Sequence, residues 1–215
     1  MTVKVVIADD HAMVRDGLKM ILEAQDDIEV VGSAANGREA LGLAELHRPD
    51  VVLMDISMPV LNGIEAARLL GKLLPATKVI VMSMHNTSEH IYRAIQAGAK
   101  GYLLKESAGD ELIEAVRAVV KRQNYFGSGV EVPAGMLGPE CQSIQKKSPL
   151  DSLSQREREI LQQVAEGRSS AEIASLLSLS PKSVDTYRSR IMVKLGVTSS
   201  SALIKFALQH AITPA

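Results

Sequence analysis

The nine residues Val51-Val52-Leu53-Met54-Asp55-Ile56-Ser57-Met58-Pro59 constrain this chain more than any other stretch. Four apolar residues run into one carboxylate, and Pro59 soon ends regular pairing. So short an apolar run reads as a strand buried on both faces, as in a parallel sheet. An acidic residue at the carboxyl end of such a strand lies where open α/β sheets bind ligands. The flanking sequence alternates strand and helix signals. Val3–Ala8, Ile28–Ser33, Lys78–Ser83 and Gly101–Lys105 are the other strand-like runs. Between them lie helical stripes: Met13, Leu18, Ile21 and Leu22 within 12–22; a helix capped by Asn36 and ending near His47; Ile64, Ala67, Leu70 and Leu73 after Asn62-Gly63; and 87–97, stopped by Gly98. Ser107 and Asp110 have capping-box spacing before Leu112, Ile113, Val116, Val119 and Val120. Five such alternations predict a five-stranded parallel sheet with helices on both faces, joined by right-handed crossovers.

In a parallel sheet all strand C-termini share one edge. Asp9, Asp10, Asp55, Ser83 and Lys105 each fall at the end of a predicted strand, so they converge despite their separation in sequence. Singly, each has a plainer reading: strand-end polarity for Asp9-Asp10, a turn or cap for Asp55, a solvated charge for Lys105. Together they suit phosphoryl transfer. Three clustered carboxylates repel one another unless a cation sits among them. Few ligands, all hard oxygens, favour Mg²⁺. Lys105 and Ser83 offer a point charge and a hydroxyl to phosphoryl oxygens, and Asp55 serves as the nucleophile of an aspartyl phosphate.

Residues 1–145 carry 14 basic and 19 acidic side chains, a net charge of −5; residues 146–215 carry 10 and 6, a net of +4. An acidic front and a basic back imply different partners. Between them, 124–147 loses helical periodicity and collects Gly127, Gly129, Pro133, Gly135, Gly138 and Pro139, the punctuation of a connector. Beyond it come four helical signals. Ser154 with Glu157 and Ser169 with Glu172 form capping-box patterns, Ser180-Pro181 opens a helix that runs to Leu195 before Gly196, and a fourth spans about 200–210. The short step from the second of these to the third fits a helix-turn-helix, whose later helix enters the DNA major groove. Val184, Ile191 and Leu195 form its inward stripe. Asp185, Thr186 and Ser189 are expected at base edges, and Lys182, Arg188, Arg190 and Lys194 at phosphates. The alternative is a solvated charged face on a small bundle.

Residues 3–122 resemble the receiver domain of two-component response regulators. The matching residues are Asp9-Asp10, Met54-Asp55-Ile56-Ser57-Met58-Pro59 with Asn62-Gly63, Ser83, and Gly101-Tyr102-Leu103-Leu104-Lys105. Residues 148–213 resemble the LuxR-type DNA-binding domain through Leu153-Ser154-Gln155-Arg156-Glu157, Ala171-Glu172-Ile173-Ala174 and the run from Ser180 to Ile191. Together they resemble a NarL/FixJ-family response regulator. The resemblance implies a flavodoxin-like receiver at 1–123, a linker at 124–147 and an all-α four-helix output domain at 148–215. It makes Asp55 the phosphorylation site, and it implies Mg²⁺ held by Asp10, Asp55 and the backbone carbonyl of Ser57 with Asp9 assisting. It implies a switch pair in Ser83 and Tyr102. A sensor histidine kinase and double-stranded DNA are the implied partners, and RNA polymerase is a further one. It also implies a homodimer formed through Leu203, Phe206 and Ala207 of the last helix, where ordinary core packing is the competing expectation. Many receivers place proline after the lysine; here Glu106 follows Lys105.

Other classes fit less well. Aromatic residues are 3% and Trp is absent, which disfavours a stacking platform for single strands. Cys141 is the single cysteine, so neither an intrachain disulfide nor a thiolate metal cluster is expected. No apolar run reaches bilayer length and no leader pattern opens the chain, so a cytoplasmic location and no membrane contact are expected. A phosphohydrolase is the enzymatic rival, but its cap insertion finds no room in these short loops. The expectation is a regulator that catalyses only its own phosphoryl transfer and dephosphorylation.

Overall fold

The computed structural model describes residues 2–107, 109–132, 148–210 and 212. Contacts divide the chain into two units, Met1–Ile144 and Gln145–Ala215. The first alternates β1 (Val3–Ala8), α1 (Ala12–Glu23), β2 (Ile28–Ala34), α2 (Gly37–His47), β3 (Val51–Asp55), α3 (Gly63–Leu73), β4 (Lys78–Ser83), α4 (Ser88–Gln96), β5 (Gly101–Leu104) and α5 (Gly109–Val120). The sheet is parallel throughout, in the order β2-β1-β3-β4-β5-β6, where β6 (Tyr125–Phe126) is a sixth strand. The expected class holds with one strand more than the five read from the sequence. Tyr125 and Phe126 lie inside the stretch read as linker. Two residues are too few to show a period, and glycine and proline dominate around them, yet they pair with Gly101 and Tyr102.

Strand alternation sorts the core. Val5, Ile7, Leu53, Ile80, Met82 and Leu103 face α1 and α5. Val6, Ala8, Val52, Met54, Val79, Val81, Tyr102 and Leu104 face α2, α3 and α4. Strand β3, central and covered on both sides, is buried at every residue, as the apolar run requires. Each of its Val, Leu and Met side chains contributes roughly 1.5–3 kcal/mol by leaving water.

Three expected core residues point outward instead. Met13 is 88% exposed, Leu73 51% and Val120 39%. They sit in the first or last turn of their helices, where the stripe runs off the edge of the sheet. Ser107 helps hold the carboxyl of Glu111, one residue beyond the Asp110 that box spacing singles out, below its ordinary range. Asn36 and Asn62 cap α2 and α3 as read.

The second unit holds a 3-10 turn at Pro149–Ser152, α6 (Gln155–Ala165), α7 (Ser170–Leu177), α8 (Pro181–Leu195) and α9 (Ser200–Gln209). Both capping boxes form: Ser154 with Glu157 opens α6, and Ser169 with Glu172 opens α7. Gly167 and Gly196 take positive φ at the ends of α6 and α8. Leu153, Ile160, Leu161, Ile173, Val184, Ile191 and Leu203 meet in one core. The 3-10 turn escaped periodicity because it is only four residues long; Ser148 caps it. The connector's Pro133, Gly135, Gly138, Pro139 and Cys141 lie outside the described residues. Among the described residues no single helix is long and apolar enough to cross a membrane.

Candidate functional site

The C-terminal edge of the sheet gathers the polar strand ends. Asp9 follows β1, Asp55 ends β3, Ser83 ends β4 and Lys105 follows β5. Asp9 is 1% exposed and Asp55 3%. The Lys105 ammonium lies 2.7 Å from Asp9 Oδ2 and 2.9 Å from Asp55 Oδ2, bridging two carboxylates from different strands. Burial pushes the Asp55 carboxyl above the ordinary carboxylate range against the pull of Lys105, and Asp9 and Asp10 add to the rise. Burial pulls the Lys105 amine down, but Asp9 and Asp55 outweigh it and hold it above its ordinary value. The Lys105–Glu106 peptide is trans.

Asp9 is fixed from several sides. The His11 amide donates to its Oδ1 at 2.8 Å, and Arg15 Nη1 donates to its carbonyl at 2.7 Å. Asp10 is partly exposed and pairs with His11 Nδ1 at 2.8 Å. Asp9, Asp10, His11 and Asp55 each offer a ligand atom within 4.8 Å of the others. The carboxylate oxygens are the hard donors that Mg²⁺ accepts, whereas an imidazole is not its usual partner. His11 and Arg15 were not legible as site residues. The signal for His11 was its place directly after Asp9-Asp10; Arg15 gave none.

The loop from β3 to α3 is held tightly over Asp55. Met58 and Leu61 are buried, and Val60 takes φ 68°. Gly63 donates its amide to the Ile56 carbonyl at 2.9 Å. A Cβ on Gly63 would fall 1.9 Å from the Asp55 carbonyl oxygen and 2.9 Å from Met54 Cγ. Glycine at this position is a packing requirement, met by the Asn62-Gly63 pair that also opens the helix.

Ser83 and Tyr102 meet at one loop residue. The His85 amide donates to Ser83 Oγ at 2.9 Å, and the Tyr102 hydroxyl donates to the His85 carbonyl at 2.6 Å. Burial drives the Tyr102 phenol up to about 12, against a smaller downward pull from Ser83. The Tyr102 ring is fully buried. The His85 ring stacks on His90, centroids 5.0 Å apart, and Thr87 hydrogen-bonds His90 Nδ1.

In the helical unit, Lys182, Asp185, Thr186, Ser189 and Arg190 are exposed on α8, while Val184 and Ile191 are buried. Asp185 and two further expected contact residues are tied within the unit. Ser170 donates to Asp185 at 2.6 Å, and Arg188 reaches Ser170 and Ser200 at 3.2 and 3.3 Å. Lys194 donates to Glu157 at 2.7 Å. Burial raises the Glu157 carboxyl, but Lys194 and the Ser154 amide outweigh it, and it ends below its ordinary value. For the last helix, core packing is what the structure shows at Leu203 and Ala207, 1% and 0% exposed. Phe206 is half-buried and packs on His210, while Ser201, Lys205 and Leu208 face outward on α9.

Known proteins show the same two parts. Residues 5–117 match the response regulator receiver domain, and residues 151–207 match the bacterial regulatory proteins of the luxR family. The transcriptional regulatory protein MctR of Rhizobium johnstonii is 39% identical over 210 residues, 98% of this chain and 95% of that protein. The oxygen regulatory protein NreC of Staphylococcus carnosus is 40% identical over 212 residues, 96% of this chain and 97% of that protein. The structure of the two-component response regulator RcsB–DNA complex aligns with a TM-score of 0.58 at 26% identity, covering 97% of this chain and 98% of that one.

Proposed function

The chain belongs to the two-component response regulators that carry a LuxR-type DNA-binding unit, and from that premise we propose that Asp55 accepts a phosphoryl group from a sensor histidine kinase and thereby controls DNA binding. The observation that carries the reading is the Lys105 ammonium, set between the buried carboxylates of Asp9 and Asp55 at the C-terminal edge of the six-stranded sheet. A buried carboxylate beside a fixed cation is a nucleophile whose added charge is already countered.

In the proposed step an Asp55 Oδ attacks the phosphorus of the kinase's phosphohistidine. The P–N bond breaks, its electron pair stays on the imidazole, and an O–P bond forms. Lys105 turns from the carboxylates toward a phosphoryl oxygen. The Ser83 hydroxyl leaves the His85 amide for another. The Ser83–His85–Tyr102 cluster then repacks, and one local charge biases a two-state element. Water later hydrolyses the acyl phosphate and restores Asp55; no other substrate is turned over. Asp9, Asp10, Asp55 and the backbone carbonyl of Ser57 are the proposed Mg²⁺ ligands. Bound there, Mg²⁺ screens the negative charge of donor and acceptor. His11 is assigned to orienting Asp10.

Residues 1–123 act as the receiver, 124–147 as a connector whose first residues add β6 to the receiver sheet, and 148–215 as the output domain, working in the cytoplasm. DNA binding through α8 recruits a second copy of the chain, and RNA polymerase is the downstream contact. The test is direct. The protein is incubated with a small acyl phosphate and Mg²⁺, and one acid-stable, base-labile phosphoryl adduct is expected. Asp55→Asn must lose it; an adduct at the wild-type level in that variant refutes the assignment.

A further inference from the structure

Val193 is 81% exposed on α8, the second most exposed of the large hydrophobic side chains among the described residues. Single exposed apolar residues are common on protein surfaces; this one is distinguished by its place. Lys182, Thr186, Ser189 and Val193 are spaced i, i+4, i+7 and i+11, a straight row along one helix face. Val184, Ile191 and Leu195 lie on the opposite side, with Val184 and Ile191 fully buried. Val193 therefore carries the row that a groove-reading helix turns to DNA into the last turn of α8, and it makes no part of the unit's own core.

The polar members of that face have spent much of their hydrogen-bonding capacity at home. Thr186 Oγ1 donates to the Lys182 carbonyl at 2.9 Å, and Ser189 Oγ donates to the Asp185 carbonyl at 3.0 Å. Asp185 accepts from Ser170 at 2.6 Å. Few donors remain to read base acceptors along this row. The one apolar feature that a base pair shows in the major groove is the C5-methyl of thymine. We propose that Val193 is a specificity-determining residue that packs against a thymine methyl in each half-site. The inference rests on the DNA-binding role of α8 and adds to it a residue and the base it recognises.

The test uses the full phosphorylated chain. A target is selected from a random duplex pool, and each thymine is then replaced in turn by uracil, which lacks only the methyl. At one position per half-site the replacement is expected to weaken wild-type binding roughly fourfold, the equivalent of about 0.8 kcal/mol for one buried carbon. Val193→Ala should bind the thymine target more weakly and be indifferent to uracil at that position. Its salt dependence should match wild type, since no phosphate contact is removed. Uracil tolerated by wild type at every position, or a uracil penalty that persists in Val193→Ala, overturns the proposal while leaving α8 as the reading helix. A wild-type chain that enriches no sequence overturns the reading on which the proposal stands, and the proposal with it.

Discussion

Replacing Gly63 by alanine should damage fold and chemistry together. The added carbon would lie 1.9 Å from the Asp55 carbonyl oxygen and 2.9 Å from Met54 Cγ. Carbon and oxygen approach without penalty only from about 3.3 Å, so loop and strand must separate by about 1.4 Å. Strand β3 cannot yield easily, because β1 and β4 pair with it on both sides and it is buried throughout. The movement therefore falls on the loop and on the Asp55 peptide. Overpacking of this kind costs about 1–3 kcal/mol, and a clash with backbone belongs at the upper end. A nucleophile displaced by about 1 Å loses roughly 10²-fold in rate. Urea unfolding of the full chain reads the first effect, and the rate of adduct formation with a small acyl phosphate reads the second. Gly71→Ala is the control on the same helix: the nearest atom to its Cβ is 3.9 Å away, and alanine should stabilise by about 1 kcal/mol. A Gly63→Ala chain with wild-type unfolding midpoint and adduct rate would refute the reasoning.

Three other outcomes are expected. Leu203→Ala should destabilise the second unit by about 2–5 kcal/mol in thermal or urea unfolding, while the outward-facing Leu208→Ala stays within about 0.5 kcal/mol; the reverse order would put Leu203 at an interface. The Glu157 carboxyl is lower in the folded state, so its contribution is complete above the ordinary glutamate pKa of about 4.3 and is lost as pH falls through the folded value. Glu157→Gln should flatten that part of the acid limb of stability, and an unchanged limb would show that the Lys194 pair contributes nothing there. Lys182→Ala should weaken DNA binding across all sequences and reduce the salt slope by about one; an unchanged slope means that Lys182 touches no phosphate.

Strands β1 to β5 and the helices between them were readable because each carries one period over at least four residues. The convergence of Asp9, Asp55, Ser83 and Lys105 was readable for a related reason: parallel topology alone places strand ends together. What escaped was short or depended on contacts. The β6 strand at Tyr125–Phe126 has no period, and its existence depends on an edge offered by β5. Met13, Leu73 and Val120 fit helical stripes, but a stripe does not say where the sheet beneath it stops. His85 carries no sequence signal, because it serves through its backbone amide and carbonyl. On α8 the outward and inward faces followed from spacing. The internal ties of Arg188 and Lys194 did not, since their partners come from other helices.

Lys105, with its nitrogen 2.7 Å from Asp9 and 2.9 Å from Asp55, is a tethered counter-ion. Any free cation drawn to those oxygens must share them with an ammonium that never diffuses away. Its affinity is therefore fixed by a contest inside one molecule as well as by the donors themselves. Such an arrangement holds a guest loosely and keeps its shape when the guest departs, which suits a reversible signal better than a permanent store.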